Sequence, residues 1–208
     1  MKRKNGLGNM MKEAGILFAI TLLAGLALGF VYQLTKEPIR IQKEKKIQEA
    51  CREVFQDADA FEVLNLTPDA QMQETFAGDG ISVGNVFGAY DENSRLMGYV
   101  VEMISTEGYG GKIGLYMGIR NDGTLNGVAI LEISETPGLG MEAESVLIPQ
   151  FAGKKVAAFT YTKTGAENDS QVDAISSATI TTKAVVGAVN AGLTYFAESL
   201  QGGGGSHD

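Results

Sequence analysis

The chain has 208 residues, 44 % hydrophobic and 20 % charged, with a formal net charge of −8. That is ordinary for a chain that folds, and it suits one domain with accessory segments rather than two full domains. A single cysteine, Cys51, excludes an intrachain disulfide, a cysteine zinc site and an iron–sulfur cluster; a single histidine, His207, near the end, leaves no His-based catalysis and no ordinary transition-metal site.

The charge is split along the chain. Residues 1–46 carry nine Lys/Arg against three Asp/Glu, and residues 47–208 carry eight against 22. A body this acidic repels nucleic acid. Residues 1–13 hold Lys2, Arg3, Lys4 and Lys12, and residues 14–34 hold no charge at all. As a helix those 21 residues span roughly 31 Å, the thickness of a bilayer's hydrocarbon core. A cleaved signal peptide would have a shorter apolar run and a small-residue site after it, so the segment reads as an uncleaved anchor. Basic residues flank it on both sides (Lys36, Arg40, Lys43, Lys45 and Lys46 follow it), and charge alone does not decide orientation. Gly25 and Gly29 form a GxxxG pair that lets a second helix approach.

Residues 36–56 read as a helical stalk with Ile41, Ile47, Ala50, Val54 and Phe55 on one face, and Cys51 as a structural residue within it. The stretch up to about Gly80 is mixed. From 83 to 133 the pattern turns to strands, VGNVFGAY, LMGYVVEMIS, KIGLYMGI and LNGVAILEIS, separated by the turns 91–94 and 121–123 and by the flexible loop 108–111. These are hairpins of an antiparallel sheet. A short helix is predicted over 141–151, a strand over 155–161 and a helix over 182–200, with Val185, Val186, Val189, Leu193 and Phe196 facing inward. The fold class is therefore α+β behind a transmembrane helix. Residues 201–208, with GGGGSHD, read as a flexible tail or an expression remnant.

The densest chemistry lies just before the last helix, in Asp173, Ser176, Ser177, Ala178, Thr179, Thr181 and Thr182. Hydroxyls at a helix start serve as ordinary caps, and a helix start also holds a phosphate with its free N–H groups. Both readings stand on the residues alone. Other groups weigh less. Gly108-Tyr109-Gly110-Gly111-Lys112 lacks the spacing of a phosphate loop, and Tyr109 reads as packing or as an aromatic that reaches a ligand edge. The acidic stretches 57–62 and 142–144 read as solvated faces.

The run Asp173-x-x-Ser176-Ser177-Ala178-Thr179-x-Thr181 resembles the flavinylation motif D-x-x-[ST]-G-A-T-x-[ST] of the FMN-binding domain family, with Ser177 where the family usually has Gly. Glu135-Thr136-Pro137-Gly138-Leu139-Gly140 matches the same family's ETPGLG segment. The resemblance covers roughly residues 85–197. It is strongest to the G-subunit family of Rnf ion-translocating electron transport complexes. The C-subunit family of sodium-pumping NADH:quinone reductases is a related but longer group.

The resemblance implies one covalent FMN, its phosphate esterified to Thr179. Asp173, Ser176 and Thr181 would serve recognition or positioning, Ser177 and Ala178 would complete the motif, and Glu135, Thr136, Gly138, Leu139 and Gly140 would line the flavin. It implies a cytoplasmic N-terminus (1–13), the transmembrane helix (14–34), a stalk and connecting segment (35–80) and an FMN-binding domain (81–200) on the extracytoplasmic side. It implies an electron carrier in a membrane-bound ion-translocating ferredoxin:NAD oxidoreductase complex. The implied partners are the other proteins of the complex, the lipid bilayer and, during maturation, a flavin transferase that uses FAD and Mg²⁺. No side chain is assigned as catalytic or as a metal ligand. Two alternatives remain open on the sequence: a C-type component of a sodium-pumping quinone reductase, and a non-redox, membrane-tethered extracytoplasmic binding module whose hydroxyls only cap a helix. A standalone flavin reductase lacks a substrate site.

Overall fold

The computed structural model describes residues 4–201, so the GGGGSH run and His207 lie outside the described residues. The chain divides into two compact units, Met1–Lys45 and Lys46–Asp208.

One helix, α1 (Lys4–Val54), contains both the predicted anchor and most of the predicted stalk, with Pro38 inside it. The anchor runs without a break into the charged helical stretch expected after it. In the first unit the apolar side chains face outward: Leu17 is 64 % exposed and Phe18 68 %. That is unfavourable in water and suited to lipid. This part of the helix is long and apolar enough to cross a membrane. Arg40 pairs with Glu37 at 2.9 Å and with Glu44 at 2.7 Å on the exposed helix surface.

The second unit is built on a five-stranded antiparallel meander: β1 (Ala60–Leu64), β2 (Ile81–Tyr90), β3 (Leu96–Ser105), β4 (Ile113–Arg120) and β5 (Leu125–Ile133), paired in that order. A short helix, α2 (Ala70–Gly78), separates β1 from β2, and the Asp69 carboxylate caps it by accepting from the Met72 N–H at 2.8 Å. The mixed composition before Gly80 hides β1 and α2 because each is short and largely exposed. The second unit also has a small parallel pair, β6 (Thr160–Thr162) and β7 (Gln171–Asp173), and the helix α3 (Thr179–Tyr195), which is extended by a wider turn over Phe196–Leu200. Residues 140–151 form three short helical turns rather than one regular helix, and the strand expected over 155–161 begins only at Thr160.

β4 explains the layering, because seven consecutive residues from Ile113 to Ile119 are buried. Alternate side chains point to opposite faces of a strand. Leu115, Met117 and Ile119 join the core under α3, and Tyr116 joins a second core under the end of α1, with Cys51, Val54, Phe55 and Phe87. Glycines permit the close approach on the second face. A Cβ on Gly118 would lie 2.6 Å from the Val54 carbonyl oxygen, and one on Gly98 would lie 2.8 Å from the Phe55 ring. Asn126 donates to the Val54 carbonyl at 2.5 Å, and the Arg120 guanidinium lies 5.5 Å from the centre of the Phe55 ring. On the opposite face Gly192 lets α3 settle onto Met103 and Met117. The sheet is therefore covered on both sides, which accounts for a nearly continuous apolar β4 in an antiparallel sheet.

Candidate functional site

The two sequence motifs come together at the N-terminal end of α3. β7 delivers the first. Its Asp173 is held through the backbone: Gln150 accepts from the Asp173 N–H at 2.7 Å and donates to its carbonyl at 3.2 Å. The chain then turns, with the Ala178 N–H donating to the Ile175 carbonyl at 3.1 Å. Ser177 occupies the third position of that turn at φ +60°. Glycine is the ordinary residue for this left-handed backbone, which explains in torsional terms why a motif of this shape prefers Gly there.

Helix α3 begins at Thr179 rather than at the expected Thr182, and Ala178 takes the cap position with no side-chain cap. Thr182 is the hydroxyl residue that shapes the turn. Fully buried, it accepts from the Ile175 N–H at 3.1 Å and donates to the Ala178 carbonyl at 3.0 Å. Thr179 is half-buried, Ser176 and Ser177 are exposed, and Thr181 is buried. The helix start therefore presents Thr179 together with the uncapped first-turn N–H groups.

The second motif follows β5. Glu135 is only 7 % exposed. Thr136 through its carbonyl accepts from the Leu139 N–H at 3.1 Å and the Met141 N–H at 3.3 Å. This turn again has a positive φ at its third residue, Gly138 at +74°. Gly140 is the point of contact between the motifs: a Cβ there would lie 2.6 Å from Thr181 Oγ1 and 2.7 Å from Glu135 Oε2. The other carboxylate oxygen, Glu135 Oε1, is buried without a hydrogen-bond partner. A Cβ on Gly108 would lie 2.8 Å from it, so the loop 108–111 forms a third wall.

Glu135 thus sits at a hub between Gly108 and Gly140, and Thr181 approaches the same Gly140. Leu139 and Met141, which flank Gly140 in the chain, and Ile180, which precedes Thr181, are 39 %, 44 % and 52 % exposed. Of the residues singled out from sequence, Glu135, Gly140 and Thr181 are in mutual proximity, and Thr179 opens the same helix. Thr136, Pro137 and Gly138 are exposed at the turn. Sequence reading missed Gln150 and Thr182 as the residues that shape the first motif. Thr182 lies within the quoted run, but nothing in its spacing separates it from its neighbours.

A groove of about 980 Å³ runs along α3, past Phe76, Ile81, Phe159 and Tyr161, and borders the site at Glu107, Ile180 and Lys183. Among the described residues, no three His, Cys, Asp or Glu side chains gather as a metal site. The uncapped helix start, the glycine-walled hub and the exposed apolar side chains fit a phosphate joined to a flat apolar ring.

A family model described as the FMN-binding domain matches residues 108–194, a stretch that starts at the Gly108 wall and ends within α3. The G subunit of the Na⁺-translocating ferredoxin:NAD⁺ oxidoreductase complex of Acetobacterium woodii is 31 % identical over 189 residues, covering 87 % of this chain and 88 % of that protein. The G subunit of the ion-translocating oxidoreductase complex of Methanosarcina acetivorans is 31 % identical over 177 residues, 85 % of this chain and 88 % of that protein. Its counterpart in the proton-translocating complex of Clostridium ljungdahlii is 32 % identical over 183 residues, 84 % and 88 % of the two chains. The crystal structure of NqrC from Shewanella oneidensis is similar over 65 % of each chain, at 24 % identity and a TM-score of 0.46. With an FMN-binding domain behind a helix able to span a membrane, and identity of this extent along the chain, the protein belongs to the family of G subunits of ion-translocating oxidoreductase complexes.

Proposed function

We propose that this chain is a membrane-anchored electron carrier of an ion-translocating ferredoxin:NAD oxidoreductase complex, and that it holds one FMN as a phosphoester of Thr179. The observation that carries the proposal is the division of labour among the hydroxyls. Thr182 closes the turn, so Thr179 is not needed as a cap and stands at a helix start whose dipole and free N–H groups favour a phosphate. Lys183 follows Thr179 by one helical turn, placing a cation on the neighbouring surface.

FMN supplies the redox chemistry when bound, and the protein supplies binding, orientation and solvent exclusion. Gly140 keeps the contact between the two motifs free of side-chain bulk, and the exposed Leu139 and Met141 offer apolar contact. Thr hydroxyls are weak nucleophiles without a base, and the described residues include no histidine to serve as one, so attachment requires a separate flavin transferase. In that step Thr179 Oγ forms a bond to the FMN-side phosphorus of FAD and the pyrophosphate bond breaks. AMP leaves, and the hydroxyl proton passes to the transferase.

The covalent tether favours an extracytoplasmic domain, where a lost cofactor is not readily recaptured. An introduced Glu92→Cys on the exposed turn after β2 checks the side: a membrane-impermeant maleimide should label it in intact cells, and labelling only after lysis places the domain inside. For the attachment itself, intact mass after co-expression with a flavin transferase should rise by about 440 Da, FMN less one water, as expected for a covalently held flavin. Thr179→Ala should abolish both that increment and the fluorescence of the denatured band. Wild-type protein without the increment would sink the proposal.

A further inference from the structure

The groove along α3 has an open strand edge in its wall. β6 bonds β7 with alternate residues: the Thr160 N–H donates to the Ser170 carbonyl at 2.8 Å, and the Thr162 carbonyl accepts from the Ala174 N–H at 2.7 Å. Successive residues of a strand turn their main-chain groups to opposite edges, so Phe159 and Tyr161 face away from β7. At Phe159 that edge is closed. The Asn190 side chain accepts from the Phe159 N–H at 2.7 Å and donates to its carbonyl at 2.9 Å, so a primary amide stands where a neighbouring strand would. At Tyr161 the edge is open: among the described residues no group bonds its N–H or its carbonyl. Beyond Tyr161 the strand reaches the first turn of α3, because Ala174 bonds Thr162 and the next residue, Ile175, bonds Thr182. Tyr161 therefore lies alongside the helix between Thr182 and Asn190. Gly187 leaves room there, since a Cβ on it would meet only the Ile81 side chain, 3.7 Å away. Asp79 and Glu107 stand on the rim, both exposed and neither ion-paired among the described residues. Gly80 draws them together: a Cβ on it would lie 2.7 Å from Glu107 Oε1.

We infer that the groove takes an extended segment of another subunit of the complex, added as a strand to β6 at Tyr161, with a Lys or Arg of that segment facing Asp79 and Glu107. A peptide supplies the acceptor and donor that Tyr161 lacks, in the arrangement Asn190 already uses at Phe159, and a hydrocarbon chain supplies neither. Phe76, Ile81 and Val186 line the groove and suit apolar side chains of the segment. The unpaired carboxylates select a basic segment. The same charge disfavours a second copy of this chain, because residues 47–208 carry eight Lys/Arg against 22 Asp/Glu and two such bodies repel. Docking here sets the other subunit beside Glu107, Ile180 and Lys183, where the groove meets the start of α3. The inference rests on membership of the G-subunit family and not on a bond at Thr179.

The test uses the full chain in membranes that hold the whole complex. The photo-crosslinking residue p-benzoylphenylalanine replaces Thr75 or Thr194, two exposed residues that line the groove, or Glu92 as a control on a distant turn. After irradiation, mass spectrometry of the digested adducts should map both groove positions to one segment of another subunit, with a Lys or Arg within it, and the Glu92 position should not reach that segment. Asp79→Lys together with Glu107→Lys, both at exposed sites, should lower the adduct yield about tenfold, the change that roughly 1.4 kcal/mol produces. Tyr161→Pro removes the free N–H and should lower the yield similarly, whereas Tyr161→Phe keeps the main chain and should leave it unchanged. If Tyr161→Pro fails to fold, the charge reversal decides. Adducts only with lipid, with a second copy of this chain or with the flavin transferase overturn the inference. So do an absence of adducts in the intact complex and a yield indifferent to the charge reversal.

Discussion

Thr182 and Ile175 are joined across the turn that precedes α3: the Ile175 N–H donates to the Thr182 hydroxyl at 3.1 Å, and that hydroxyl donates on to the Ala178 carbonyl at 3.0 Å. Both groups are out of water, so this one side chain shapes the loop that presents Thr179.

Thr182→Val keeps the volume and removes the hydroxyl, leaving a buried N–H unpaired. The expected cost is about 1–3 kcal/mol, or a fall in Tm of roughly 2–4 °C per kcal/mol for a unit of this size. Thr179→Val is half-buried, caps nothing, and should cost less than about 0.5 kcal/mol, as for surface changes away from special features. Thermal denaturation of the two variants with mass measurement separates the roles: Thr182→Val should lose stability first and Thr179→Val should lose the flavin. Equal destabilisation would contradict the assignment.

Ser177→Gly should stabilise the protein. At φ +60° a side chain costs roughly 1 kcal/mol of torsional strain, partly offset by the greater freedom of glycine in the unfolded chain. A net gain of about 0.5 kcal/mol with flavin loading intact is expected from these opposing terms. Ser177→Val should lose more than about 1 kcal/mol, since a β-branched residue tolerates this region worst. Urea denaturation midpoints of the pair check the sign.

Gly140→Ala places a methyl 2.6 Å from Thr181 Oγ1 and 2.7 Å from Glu135 Oε2. Such overpacking should cost about 1–3 kcal/mol and lower the yield of flavinylation by moving the two motifs apart. Gly138→Ala meets no atom within 4 Å, but its φ of +74° carries a strain penalty of about 1 kcal/mol. Flavin yield should therefore fall more for the Gly140 variant, even where stability losses are comparable.

Cys51 lies beyond the apolar segment, in the core under the end of α1, where burial and then the charge of Glu102 push its thiol up to about 12. At pH 8 its thiolate, and so its rate with iodoacetamide, should be lower in the folded protein by roughly 10³-fold or more than in urea. The folded value is raised above the unfolded one, so the stabilisation from a neutral buried thiol is fully present below about pH 9. It is lost as pH rises towards 12. Cys51→Ala should make denaturation midpoints less dependent on pH between about 9 and 10. An unchanged slope would argue against this burial effect.

The central strands are legible from sequence because β2 to β5 carry hydrophobic patterning punctuated by Asp-, Asn- and Gly-bearing turns. β1 and α2 are not, since neither shows a periodic apolar face long enough to register. The helix expected from Thr182 starts three residues earlier, at Thr179, because a run of hydroxyl residues reads as cap or loop until tertiary contacts assign each one. Residues 140–151 have helical composition, but the chain there must pack Ala143, Leu147, Ile148 and Phe151 against the sheet, which breaks the regular turn.

By itself the sequence determined a charge-free segment of membrane length, an acidic body without histidine or paired cysteine, an antiparallel sheet, and the two motifs that mark an FMN-binding domain. Those properties depend on composition and local spacing, which the linear chain contains. Only the tertiary structure brought residues 108–111, 135–140 and 179–182 around one buried carboxylate. It also assigned Thr182 rather than Thr179 to the turn, and it showed Tyr109 to be exposed rather than packed. Those outcomes depend on contacts between segments up to some 70 residues apart, made possible by glycines at which two backbones approach more closely than any side chain allows.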